Sequence, residues 1–211
     1  MRSRSLEGIK EEVAKLVVAG YKEIVLIGIH LGCYGKELRK DGFDISLYDA
    51  VNAALSVEGL ERLRLGSLES VEVEPRLLEL MANEPRFAKQ LHLPLQSGCD
   101  KTLHDMNRHY TSDEYLALCT KLRAAFSDAT ITTDLMVGFP GETDEDFEVT
   151  YKNLDELSLY EMHIFKYSRR QGTLADKMPD QVPEQVKDVR SDRLLELTAK
   201  KKQEFENSFI G

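Results

Sequence analysis

Tryptophan is absent from this 211-residue chain, and cysteine is scarce, with three residues. Cys33, Cys99 and Cys119 are widely spaced and form no C-x-x-C or similar ligand pair, so no metal site is expected from them. Cys119 shares a helical stripe with Tyr115, Leu118 and Leu122 and reads as a small core residue. Cys33 and Cys99 fall just beyond expected strand ends. No window approaches the ~20 apolar residues of a membrane helix. Met1-Arg2-Ser3-Arg4-Ser5 does not lead into an apolar secretion signal, and a cytoplasmic protein with no membrane partner is expected. Positive charge is also short: 28 Lys and Arg stand against 37 Asp and Glu, a net charge of −9. That balance argues against a whole-surface nucleic-acid binder. Basic clusters occur locally at Arg108-His109, at Lys166 with Arg169-Arg170, and at Lys200-Lys201-Lys202, the last reading as a solvated helix face. No G-x-G-x-x-G follows an expected strand, which counts against a dinucleotide-binding sheet.

What is present describes a folded α/β chain, 42% hydrophobic and 31% charged. Leu6, Ile9, Val13, Leu16 and Val17 fall at helical spacing, and Gly20 stops the run. Ile24 to Ile29 is a short apolar run, as expected of a strand buried on both faces of a parallel sheet. A Gly- and charge-rich loop follows from Leu31 to Asp44, then a helix through Leu47, Val51 and Leu55. Leu63 to Leu68 is the next strand, and Pro75 opens a helix at a first-turn position. A strand through Leu91 and Leu95 and a short helix near Lys101–Met106 come next. Thr111 to Glu114 is a capping box for the helix through Tyr115 and Phe126. A strand over Ala129–Val137, a helix capped at Thr143, and a strand over Glu161–Tyr167 follow. A long helix through Val186, Val189, Leu194, Leu197 and Phe205 closes the chain. Alternating strands and helices predict parallel strands with right-handed crossovers. A doubly wound sheet and a β/α barrel both satisfy that order. In a barrel, the first helix would lack its preceding strand.

The segment from Gln90 to Asp100 (QLHLPLQSGCD) carries most information. Leu91, Leu93 and Leu95 alternate with His92, Pro94 and Gln96, so one face is apolar and the other polar. The polar face runs into Gln96-Ser97-Gly98, aiming hydrogen-bonding groups beyond the strand's C-terminal end; the plain alternative is a Ser-Gly turn. In a barrel, His30, Glu69, Gln96, Ser97, Asp134 and Tyr167 would converge on one mouth.

LHLPLQSGCDKTLHDMNRHYT, DLMVGFPGET, IVLIGIHLGCYG and RLRLGSLE resemble the radical S-adenosylmethionine methylthiotransferases, the MiaB-like enzymes. GIHLGCYG and LGSLE are most similar to the threonylcarbamoyladenosine tRNA methylthiotransferase branch. The resemblance runs from Arg2 to Gly211 and implies a partial TIM-like radical SAM barrel, residues 1–211. Five parallel strands are expected, with the first, cluster-bearing strand missing. The N-terminal methylthiotransferase domain, the C-x-x-x-C-x-x-C cluster loop and the C-terminal RNA-binding β domain are expected to be absent. In the full-length family the cofactors are S-adenosylmethionine and 4Fe–4S clusters and the substrate is tRNA. A radical formed from the cofactor removes hydrogen from an unactivated C–H, and a methylthio group is installed. Without the cluster thiolates, this chain alone is expected to hold no cluster and to be inactive. The resemblance places Gln96, Ser97 and Gly98 near the cofactor, and Asp134 and Gly138 in the strand motif lining its adenosine pocket. Asp134 could instead pair with Arg64 or bond His92. Gly28 and His30 match a strand end near the methionine moiety, although the usual Gly-Gly-Glu is missing there. Glu69 is a candidate cofactor ligand or half of an ion pair. No catalytic residue is assigned. A ribosomal-protein methylthiotransferase and a non-catalytic barrel module are the alternatives.

Overall fold

A computed structural model describes residues 2–38, 42–69, 73–126 and 128–210. Part of the expected 31–44 loop, residues 39–41, lies outside the described residues. The chain divides into two compact units, residues 1–92 with 121–129 and residues 93–120 with 130–211.

In the first unit, α1 (Leu6–Val18) starts where the Ser5 hydroxyl accepts from Gly8 N and stops at Gly20, whose φ of 95° suits glycine. β1 (Glu23–Leu26) pairs in parallel with β2 (Arg62–Leu65), setting Ile24 against Leu63. Between them, α2 (Leu47–Leu55) opens with a Ser46–Asp49 capping box. α3 (Pro75–Asn83) carries Pro in its first turn. β3 (Gln90–His92) follows, and His92 O accepts from Leu68 N. Leu63, Leu65, Leu77 and Leu91 are the fully buried centre.

β1 corrects one expectation. The strand ends at Leu26 rather than Ile29, and Ile27 and Ile29 are 80% and 95% exposed. Its ladder to β2 closes with Gly66 N donating to Leu26 O, after which a 3-10 turn at Leu31–Cys33 leads the chain away. Among the described residues β1 is an edge strand. An apolar run is buried on both faces only where neighbours cover both.

The second unit is built around β4 (Thr130–Val137), whose parallel partner β5 (Glu161–Lys166) sets Asp134 against His163 and Met136 against Phe165. On β4's other edge run residues 93–96: Leu93 N donates to Thr132 O, Gln96 N to Asp134 O, and Met136 N to Gln96 O. Pro94 has no N–H to give. Beside it the Thr133 hydroxyl donates to Leu93 O at 2.7 Å and accepts from Leu95 N at 2.9 Å, bridging the gap. Around this sheet lie α4 (Asp100–Asp105), α6 (Asp144–Glu156), α7 (Leu174–Lys177) and α8 (Glu184–Asn207). α5 (Ser112–Ala125) sends Tyr115 Oη to Leu93 O. The Thr111–Glu114 capping box forms in both directions, as does that of Thr143 and Asp146.

α8 brings a second correction. Val189 is 61% exposed, and the buried stripe is Lys187, Arg190, Leu194, Leu197 and Lys201. Of the Lys200–Lys202 run, only Lys200 is exposed. Lys201 Nζ donates to Asp155 O and Leu157 O, and Lys202 pairs with Glu161 over the Tyr160 ring. Burial pushes the Lys201 ammonium below its ordinary pKa.

Every named pairing is parallel, and the order β-α-β-α holds from β1 to α8.

Candidate functional site

The candidate residues lie at strand ends in both units. In the first, β1 runs into Gly28, where an added Cβ would lie 3.4 Å from the Leu31 backbone. His30 follows, its Nδ1 3.5 Å from Glu69 Oε1, both side chains partly exposed. Glu69 thus stands beside a histidine, the ion-pair geometry weighed for it. Gly28 and His30 line a cavity of about 480 Å³ with Arg2, Arg4, Glu12 and the apolar faces of α1 and β1.

In the second unit the sequence QSG forms the turn that ends the 93–96 segment. Gln96 has a φ of 71°, a left-handed conformation unusual for a residue with a side chain. Both its backbone groups bond β4. Ser97 is 1% exposed; its hydroxyl lies 3.2 Å from Thr150 Oγ1 and accepts from Cys99 N. Gly98 explains the tight packing: an added Cβ would sit 3.0 Å from Thr150 O, and Gly98 O accepts from Asn153 Nδ2. The close approach that this glycine allows is to α6. Ser97 and Gly98 therefore fasten the loop, while Gln96 stands at its open side.

Asp134 sits in mid-strand, half-buried, across from His163, with polar atoms of the two within 4.8 Å. Arg64, one partner considered for Asp134, instead donates to Glu23 and Gln90. Gly138 ends β4 at a φ of 73°, and its N–H donates to Glu142 Oε1 at 3.0 Å. A Cβ there would come within 2.4 Å of Lys187 Cγ.

Sequence reasoning missed what locks this turn. Arg190 Nη1 donates to Glu142 Oε1 at 2.6 Å and to Glu142 O, and Nη2 reaches Asp144 Oδ1 at 2.7 Å. The Arg190 and Glu142 side chains are 5% and 3% exposed. Burial holds the Glu142 carboxyl above its ordinary range, only partly offset by Gly138 N and Arg190. Lys187 Nζ donates to Tyr167 O, over the Tyr167 ring. The available signal was the spacing 187, 190, 194, 197, 201, a helical stripe in which cations occupy core positions.

The thiols do not fit an iron–sulfur cluster. Cys33 Sγ accepts from Lys36 Nζ, Cys99 Sγ faces Asp146 Oδ1 at 3.6 Å, and Cys119 is buried on α5.

The Radical SAM superfamily profile matches residues 1–154. The chain belongs to this superfamily. It is 40% identical over 196 residues to a tRNA-2-methylthio-N(6)-dimethylallyladenosine synthase of Clostridium beijerinckii, covering 93% of this chain and 42% of that protein. It is 38% identical over 209 residues to the threonylcarbamoyladenosine tRNA methylthiotransferase MtaB of Bacillus subtilis, covering 99% and 46%. The radical SAM chain thus spans less than half the length of these curated relatives. Among solved structures it is similar to coproporphyrinogen III oxidase from Escherichia coli, with a TM-score of 0.64, 18% identity, and coverage of 94% and 45%. Methylornithine synthase gives a TM-score of 0.56 at 14% identity, covering 94% and 53%. These likenesses identify the fold, a partial radical SAM barrel with parallel strands. Among the described residues no helix is long and apolar enough to cross a membrane.

Proposed function

We propose that this chain is the radical SAM barrel portion of a tRNA methylthiotransferase, acting in the cytoplasm on a modified adenosine. The observation that carries the reading is identity near 40% over almost the whole chain to proteins of that activity. S-adenosylmethionine, bound with an iron–sulfur cluster, supplies radical chemistry and the methyl group in this family. This chain's residues supply position. The Gln96 carboxamide makes no hydrogen bond among the described residues, which suits it to a ligand's polar edge. Asp134 offers an acceptor on the same sheet. Ser97, Gly98 and Gly138 fix the backbone that presents them. In the first unit, Gly28, His30 and Glu69 are proposed cofactor contacts from their strand-end placement alone.

The test is a chimera. In a Bacillus subtilis strain lacking MtaB, the matching segment of MtaB is replaced by this chain. TRNA digests are then read for methylthioadenosines by mass spectrometry. Methylthiolated nucleoside is expected, and Gln96→Ala or Asp134→Ala in the chimera should reduce it. A stable, soluble chimera that leaves tRNA unmodified, or modifies a ribosomal protein instead, sinks the reading.

A further inference from the structure

We infer that Tyr34, Gly35 and Glu37 form a clasp that positions the arm of Arg2, Ser3 and Arg4 against the strand end carrying Gly28 and His30. The inference rests on the proposed function, in which Gly28 and His30 contact the cofactor, and names what fixes the chain beside them. All of these residues belong to the first unit. The arm precedes α1 without helix or strand bonding of its own, and Arg2 and Arg4 are exposed. It has no hydrophobic residue to bury, so only specific bonds can hold it. Arg4 Nη2 reaches Glu12 Oε2 at 3.4 Å between two exposed side chains, a contact that contributes little. Three bonds to the loop after β1 do more. Tyr34 Oη donates to Arg4 O, Gly35 N donates to Ser3 Oγ at 2.9 Å, and Ser3 N donates to Glu37 Oε1. Each joins groups 30 to 34 residues apart. So held, Arg2, Ser3 and Arg4 wall the same cavity as Gly28, His30 and Tyr34.

The loop is shaped to meet the arm. The 3-10 turn at Leu31–Cys33 delivers Tyr34, whose N–H donates to Leu31 O. Gly35 follows with a φ of 80°, and a Cβ there would lie 2.1 Å from Ile45 O. Only glycine permits that approach, and the backbone it permits is the one whose N–H reaches Ser3. Tyr34 is half-buried. Burial, and then Glu37 and Asp49, push its phenol above the ordinary pKa, so it stays a donor through the neutral range. None of the three bonds joins one core element to another; each ends on the arm. Their common effect is to set where the chain runs beside the cavity. Chemistry next to such a strand end is sensitive to placement, because a 1 Å displacement can cost about 100-fold in rate.

The experiment has two halves. In the first, the 211-residue chain is digested with trypsin and cleavage of the Arg4–Ser5 bond is timed by mass spectrometry. Arg4 O belongs to that bond, so cleavage requires the arm to leave Tyr34. Tyr34→Phe and Ser3→Ala should each speed it roughly fivefold, the loss of one hydrogen bond. Glu37→Gln keeps an acceptor for Ser3 N and should cleave near the parent rate, whereas Glu37→Ala should cleave faster. Cleavage after Lys10, within α1, is the internal reference and should not change. Unchanged rates at Arg4 would overturn the clasp, and so would rates that rise equally at Lys10, since the whole unit would then be opening. The second half uses the purified MtaB chimera, in which MtaB's own residues run into Arg2. Tyr34→Phe there should lower turnover on the order of tenfold and leave half-saturation by tRNA as in the parent. Unchanged turnover, with or without weaker tRNA binding, would mean that the arm positions nothing at the proposed site and would overturn the inference. If the chimera is inactive with Tyr34 intact, the wider reading is lost, while the digestion still decides whether the clasp holds the arm.

Discussion

β1 and β4 both lead into proposed site residues, yet they are held in opposite ways. β1 contains Ile24, Val25 and Leu26 and has one ladder partner. The chain beyond it leaves Ile27 and Ile29 exposed. β4 reads Thr-Ile-Thr-Thr-Asp-Leu-Met-Val, far more polar, and still Thr132 and Thr133 are buried. The difference is lateral. β4 is bonded on one edge by β5 and on the other by residues 93–96, and the turn after it is closed by Glu142 and Arg190. Burial follows from what covers a strand, and polar residues tolerate it when each hydroxyl has a partner. Residues beyond β1 are arranged by backbone turns and by neutral or exposed contacts, among them His30 with Glu69, Gly35 N with Ser3 Oγ and Lys36 Nζ with Cys33 Sγ. Residues beyond β4 are arranged by charge-assisted bonds in a dry turn.

That contrast breaks most visibly at Arg190. Arg190→Met keeps an unbranched stem but removes the guanidinium from over the Phe147 ring and strands the Glu142 carboxylate in a buried turn. Removing one member of a buried pair costs about 3–5 kcal/mol. The matching change between β1 and β2, Arg62→Met, loses an exposed pair with Glu23 at 3.4 Å and should cost about 0–1 kcal/mol. Urea unfolding of the two variants measures both. Equal losses would mean that the Glu142–Arg190 pair contributes no more than a surface contact.

The second test sharpens the contrast through glycine. Gly138 and Gly20 both have positive φ, but a Cβ at Gly138 strikes Lys187, while none at Gly20 has a neighbour within 4 Å. Gly20→Ala should therefore cost about 1 kcal/mol for the left-handed backbone alone. Gly138→Ala adds displacement of a lysine fixed by Tyr167 O, for about 3 kcal/mol in all. Trimming the obstacle in a Gly138→Ala, Lys187→Ala double variant should show non-additivity. Simple additivity would show that the turn does not lean on α8.

Most of the fold was legible in the sequence because its signals are local. Gly20, Pro75, Thr111–Glu114 and Thr143–Asp146 mark helix ends through bonds within a few residues. The alternation of Leu91, Leu93 and Leu95 placed three side chains that are all at most 1% exposed. What was not legible depends on partners far along the chain. Ile27 and Ile29 look like core until the β1–β2 ladder is seen to end at Leu26 and Gly66. Lys187, Arg190 and Lys201 look solvated, because a charge enters the interior only when distant acceptors such as Tyr167 O, Glu142 and Leu157 O await it. The Ser97 hydroxyl belongs to the same class, since its Thr150 partner lies 53 residues away. Recognition of the motifs singled out the loop without revealing which of its side chains fasten it.

The smallest expected effect concerns how the turn after residues 93–96 responds to acid. Asp146 lies at the start of α6, 14% exposed, with Lys101 Nζ at 2.8 Å and Thr143 N at 3.0 Å. Burial alone would raise its pKa, but Lys101 and the Thr143 amide override it and hold the carboxyl below its ordinary value. A carboxylate with a depressed folded pKa contributes stability above its unfolded value of about 3.9, and loses that contribution as pH falls through the folded value. Lys101 is 52% exposed, so screening limits the pair to about 1 kcal/mol or less. Lys101→Met should thus be less stable than the parent at pH 7 by that amount. The gap should close as pH drops below about 3.9 and shrink in 1 M salt. Comparing parent and variant cancels Glu142, whose raised pKa acts in the opposite direction over an overlapping pH range. A gap that stays constant down to acid unfolding would mean that Lys101 acts here through its bond to Gly141 O and not through the charge on Asp146.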